Sequence, residues 1–184
     1  MVWPTSGCEY HSDKLSNIGH IRRMHTEQLE GLAVTTLDEI SAALPVNAFL
    51  VAESCERLLT PVSRFEESFD GLEIKYNGTA THRDQQAFVA LCVARYLLER
   101  AGYFPDQMTV TQFARALMLP LERFTRDLQK GCGLDSLRRL HRHTPTQWIC
   151  ARIGDVYCLG TGYAARVSRN ELGAAHKLLS LSGR

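Results

Sequence analysis

The chain has 184 residues, 45% hydrophobic and 22% charged, with a formal net charge of +1. That is the composition of an ordinary soluble globular domain with a real core, and its bulk charge argues neither for nor against nucleic acid. No apolar run approaches the ~18 residues of a membrane span. The first thirty residues hold no continuous apolar stretch of the kind a secretory signal needs, so a cytoplasmic location is expected. Six cysteines (Cys8, Cys55, Cys92, Cys132, Cys150 and Cys158) form no CxxC pair, and reduced thiols are expected. Lysine is confined to Lys14, Lys75, Lys130 and Lys177, so nearly all positive charge is arginine.

Taken in chain order, Ser12 to Glu30 spaces Leu15, Ile18, Ile21 and Met24 three apart, as a weak amphipathic helix would. Thr35 or Thr36 is placed to cap a second helix to about Ala43. Pro45 opens a third, Val46 to Leu59, which Pro61 ends. Leu72 to Tyr76 alternates apolar and charged residues, the pattern of a short strand, and Asn77-Gly78 is a turn signal. Thr81-His82-Arg83-Asp84 is a capping box with Asp in the Glu position. It leads into Asp84 to Arg100, apolar nearly all round. Such a helix belongs at the buried centre of a domain, Leu91 included. Gly102 and Pro105 stop it.

Thr109 or Thr111 is placed to start the next helix, with Phe113, Ala114, Leu117 and Met118 inward. Pro120 begins another at its first turn, with Leu121, Phe124 and Leu128 inward, and Gly131 ends it. Leu134 to Leu140 is a short helix. Thr144-Pro145-Thr146-Gln147 is a capping box for a helix that Gly154 closes after Ile153. Val156 to Leu159 and Tyr163 to Val167 read as a hairpin, and Glu171 to Leu181 as a last helix. The expected fold is α+β and mainly helical. The expected division is an N-terminal helical arm over residues 1–34, a domain over 35–159 and a hairpin-helix tail over 160–184.

Four features follow one another between Pro45 and Pro120. They are a helix after Pro45-Val46, the segment Asp70-Gly71-Leu72-Glu73-Ile74-Lys75-Tyr76-Asn77 read as an edge strand, the helix from Gln85 to Leu98, and Phe113-Ala114-Arg115-Ala116-Leu117-Met118-Leu119-Pro120. This order resembles the ImmA/IrrE family of zinc metallopeptidases. In that family a strand leads into a helix carrying HExxH and then Tyr-Leu-Leu, and a later helix carries an acidic ligand four residues before Phe-Ala. The resemblance implies a zincin-like domain that ends in a helical pair like a helix-turn-helix. With Tyr96-Leu97-Leu98 and Phe113-Ala114 as anchors, the two histidine positions fall on Leu91 and Arg95, the catalytic glutamate on Cys92, and the third ligand on Thr109. A helical zinc site needs two imidazoles one turn apart and a carboxylate base beside them. Leucine, arginine and threonine supply none of these. The resemblance therefore implies a domain without zinc or other cofactor and without peptidase activity. In the family, active members cleave or bind repressors in phage, mobile-element or stress gene control. A member without ligands is expected to hold a repressor-like protein partner as an antirepressor or adaptor.

A second reading concerns DNA. Thr109 to Gln129 has helix-turn-helix spacing at Ala114, Met118 and Phe124, although Met118 stands where the turn usually has glycine. Leu137 to Ile153 fits equally, and Thr144 to Ile153 is similar to the second recognition unit of AraC-type regulators. The candidate contacts there, to a partner or to DNA, are Arg138, Arg139, His141, Arg142, His143, Gln147 and Arg152, the densest positive cluster in the chain. Phosphate and base contact by a helix in the major groove would use these groups. Cys8, His11, His20 and His25 only superficially resemble a zinc finger. No P-loop, GxGxxG or GxSxG motif is present. The sequence leaves oligomeric state and the tail's role open.

Overall fold

A computed structural model describes residues 26–158. The finger-like cysteine and histidines, the second strand of the expected hairpin and the last helix lie outside the described residues. Within them the fold is mainly helical with one small sheet. In order come α1 (Thr26–Glu39), α2 (Ala48–Ser54), β1 (Leu58–Val62), a single 3-10 turn (Arg64–Glu66), β2 (Ser68–Phe69), β3 (Glu73–Asn77), α3 (His82–Arg100), α4 (Gln107–Met118), α5 (Leu121–Gln129), α6 (Leu134–Leu140) and α7 (Thr146–Cys158).

One helix, α1, runs through positions 34 and 35, where the sequence pattern suggested a break. Thr35 and Thr36 do not cap. Their hydroxyls donate backwards to the carbonyls of Gly31 (3.0 Å) and Leu32 (2.8 Å), the mid-helix alternative open to threonine. The helix ends at Glu39, and Ser41 just beyond it adopts a left-handed φ of 51°. The N–H groups of Ser41 and Ala42 return to Asp38 and Leu37, which satisfies the last carbonyls.

Helix α2 stops in the same way. Glu56 takes φ 58°, and the N–H groups of Glu56 and Arg57 return to Glu53 and Ala52. The chain therefore leaves the helix before Leu58, and the expected helix to Leu59 is shortened. Leu58 to Val62 forms β1, with Pro61 inside it. β1 pairs parallel with β3, Leu58 opposite Glu73 and Val62 opposite Asn77. β2 pairs antiparallel on the other side, Phe69 opposite Ile74. The strand order is β1-β3-β2. β3 is thus the central strand, not the edge strand expected. β1 is an edge, and proline is tolerated there because no neighbour needs its N–H.

The capping signals before α3 and α4 act one at a time. Thr81 Oγ1 accepts from the Asp84 N–H and donates to Asp84 Oδ2 (2.7 Å), so α3 starts with its first-turn acid held. α4 starts earlier than expected because Asp106, not a threonine, caps it and accepts from the Thr109 N–H (2.7 Å). Gly154 does not close α7, which continues through Val156 to Cys158 and replaces the first strand of the expected hairpin.

α3 packs on α2, on α4 and on β3, and α1 packs on α4. Val89, Val93, Ala94, Leu98, Phe113, Leu117, Phe124, Ile149 and Ile153 belong to one continuous core. Burying each large side chain there is worth ~1.5–3 kcal/mol. Gln86 is fully enclosed in it and uses both ends of its amide: its Oε1 accepts from the Ala48 N–H (2.7 Å) and its Nε2 donates to Asn47 Oδ1 (2.8 Å). That pair bolts the start of α2 to α3. A second polar bolt joins the ends of the described chain. Arg152 on α7 is 1% exposed. Its Nη2 donates to Glu30 Oε2 on α1 (2.7 Å) and its Nε to the Leu119 carbonyl (2.8 Å).

Candidate functional site

Phe88, Leu91, Cys92 and Arg95 recur at i, i+3, i+4 and i+7, so they form one stripe along α3. The opposite faces of the helix carry Val89, Val93, Ala94 and Leu98 into the core. The stripe itself is not packed shut. With Phe69 of β2 and Gln107 and Val110 of α4 it lines a cleft of about 310 Å3. Leu91 is half-buried and faces this cleft, so it is not part of the sealed centre expected from the sequence.

The cleft walls are apolar and its one cation is Arg95, which is exposed and makes no ion pair or hydrogen bond among the described residues. The Cys92 thiol is pushed up to about 12 by burial, against the pull of Arg95 and with a push from Glu67. It stays protonated at neutral pH, so it is not poised as a nucleophile. Thr109 is not a cleft wall; it sits in the first turn of α4 under the Asp106 cap. The donor set at the four aligned positions does not fit zinc. No group of three His, Cys, Asp or Glu side chains among the described residues is arranged to hold a metal ion.

The seven residues of the basic segment are divided by the fold. Arg138 and Arg139 are exposed on α6, Arg142 is exposed in the loop that follows, and Gln147 is exposed on the first turn of α7. His143 is half-buried. His141 and Arg152 are buried and committed inward. The His141 ring lies against Phe124, centroids 5.4 Å apart, with Nε2 3.3 Å from Asp127 Oδ2 but off the line of a hydrogen bond. Burial holds the His141 imidazole below its usual pKa, with Asp127 opposing the shift. Arg152 cannot reach a phosphate, because its guanidinium is closed in by Glu30, Asp155 and the Leu119 carbonyl.

Two residues that sequence reasoning passed over hold this segment in place. Arg83, on the first turn of α3, donates to the carbonyls of Arg138 (3.1 Å) and Arg142 (3.2 Å) and to Thr146 Oγ1 (3.3 Å). It gathers the end of α6, whose free carbonyls favour a cation, with the start of α7. His82 Nε2 lies 2.9 Å from His143 Nδ1, and Arg142 Nε donates to His143 Nε2 at 3.3 Å. Only one tautomer satisfies both bonds: His143 carries its proton on Nδ1 and donates to His82. The separation of 55 to 63 residues leaves no local sequence signal for these pairs. For the cleft, the spacing of Phe88 with Leu91, Cys92 and Arg95 was a usable signal, whereas Phe69 and Gln107 were not marked by any pattern.

Comparison of the chain with protein-family models, with curated proteins and with solved structures finds no match. Among the described residues no helix is long and apolar enough to cross a membrane.

Proposed function

We propose that the protein is a non-catalytic regulator with a zincin-like domain of ImmA/IrrE type, and that it works by holding a repressor-like protein partner at the α3 cleft. The observation that carries this reading is the fate of the aligned positions. Leu91, Cys92 and Arg95 open together on one cleft, and they equip it for contact, not hydrolysis. A cleft that keeps a concave apolar lining while lacking metal donors and a carboxylate base is suited to binding alone. Close to Gln107 of the cleft wall in the chain, Phe104 is 91% exposed and Met108 66% exposed. Large apolar side chains left in water favour a protein surface as their cover.

The test is capture of partners from the native host with tagged full-length chain, with and without nuclease. A nuclease-resistant protein partner is expected, lost with Phe104→Asp/Met108→Asp. A captured complex that disappears with nuclease would replace this reading by the DNA-binding one.

A second reading, a DNA-binding regulator using residues 137–153, draws on the exposure of Arg138, Arg139 and Arg142. It is weaker because α7, the helix placed to enter a groove, carries no cation other than the buried Arg152.

A further inference from the structure

We infer that the cleft selects a partner segment in which a bulky apolar side chain stands next to a carboxylate; the inference rests on the adaptor reading and specifies its chemistry. The walls contributed by Phe69, Phe88, Leu91 and Val110 offer a single apolar chamber. At about 310 Å3 it lies at the small end of ligand-sized sites and has room for one large side chain with margin. Arg95 stands one helical turn from Leu91 at the same wall, exposed and without an internal partner. A guanidinium in that state offers a planar pair of N–H donors, the match for a carboxylate. Glu67, near enough to Cys92 to raise its thiol, and Glu99, one turn on from Arg95 along α3, are opposing charges, and neither forms an ion pair with Arg95 among the described residues. Neither is a wall of the cleft, so the guanidinium stays available. The remaining contact surface is what points to a polypeptide segment. Phe104 and Met108, exposed on either side of the cleft residue Gln107 in the chain, offer apolar area that a small carboxylate would leave uncovered.

The experiment uses full-length chain and a fluorescein-labelled peptide, Gly-Ser-Glu-Leu-Phe-Gly-Ser, read by fluorescence anisotropy. Its partners are the same peptide with Gln or Lys in place of Glu, and free octanoate as competitor. The Glu peptide is expected to bind. Gln for Glu, or Arg95→Glu in the protein, should weaken it on the order of tenfold, the effect of losing one charge-assisted hydrogen-bonded pair. The Lys peptide should regain binding to Arg95→Glu. Because Arg95 is exposed, circular dichroism of that variant should match the wild type. Equal affinity for the Glu and Gln peptides, or no recovery in the charge swap, would overturn the inference. Full displacement by octanoate at the peptide's own concentration would also overturn it, in favour of a small-carboxylate site. The two readings fail separately: a captured protein partner that is indifferent to Arg95→Glu leaves the adaptor standing and removes this inference. Charge-dependent peptide binding without any captured partner does the reverse.

Discussion

Arg152 belonged, by sequence, to a cluster facing a partner or DNA, yet it is the largest fully buried side chain of the described residues. Its charge is tolerated because Glu30 meets it with both carboxylate oxygens and Asp155 lies 3.4 Å away. Removing one member of such a buried network strands the others, at a cost of ~3–5 kcal/mol. Arg152→Ala should therefore lower the unfolding free energy by about that amount in urea, with little dependence on salt, since buried pairs are poorly screened. A loss under ~1 kcal/mol, the range of a surface ion pair, would show that α1 and α7 are held by packing alone. The two loop histidines make a pH-dependent contribution of known sign. His141 and His143 are both held below the usual imidazole value of 6.5, each first by burial. His143 is lowered further by His82 and Arg142. The unfolded chain then binds more protons than the folded one between the depressed values and 6.5, so stability rises with pH across that window. The contribution is complete above pH 6.5 and is lost as pH falls through the folded values. Urea midpoints measured from pH 7.5 to 5 should fall, and His143→Gln should fall less. An unchanged slope in that variant would remove His143 from the account.

At the scale of elements, α3 shows how far periodicity alone can be read. Its apolar character marked it as central, and its contacts with α2, α4 and β3 agree. The pattern did not say which of its apolar positions open on a cleft, because that is decided by where Phe69 and the start of α4 end up. The expectation for Leu91 changes accordingly. Leu91→Asp should stay soluble, since its side chain faces the cleft, whereas Ala94→Asp, in the sealed core, should not. An unpaired buried carboxylate costs several kcal/mol. Insolubility of both variants would mean that the cleft is closed in solution. Helix stops divide along similar lines. Gly102 and Gly131, both at positive φ, were visible as stops, because glycine adopts that conformation freely. Ser41 and Glu56 take the same conformation without glycine's freedom and were invisible, which is why α1 was split and α2 drawn too long. The aligned ligand positions give a prediction of their own. Untagged protein purified from zinc-supplemented medium should carry no stoichiometric zinc after dialysis; one zinc per chain would overturn the non-catalytic reading.

Across the whole molecule, the question is whether the positive charge is organised as a nucleic-acid surface. Net charge is +1, so any attraction to a duplex has to come from a local patch. The exposed candidates are Arg138, Arg139 and Arg142, while Asp135 lies 3.6 Å from Arg138 and shares its charge. Arg83 is committed to the α6–α7 junction by three hydrogen bonds, and Arg152 is enclosed. Within the α6–α7 pair, three exposed arginines and an α7 whose single cation is buried can neutralise about three phosphates at most, and each contact contributes ~0.9 to the salt slope. At ~100 mM salt the Debye length is only ~10 Å, which leaves little attraction beyond direct contact. The wild-type chain is therefore expected to retard no duplex in that salt, and replacing Arg138, Arg139 and Arg142 together by alanine should leave folding and partner capture unchanged. Sequence-specific retardation by the wild type, abolished in the triple variant with a salt slope lower by ~1 per lost contact, would instead assign regulation to direct DNA contact by the α6–α7 pair.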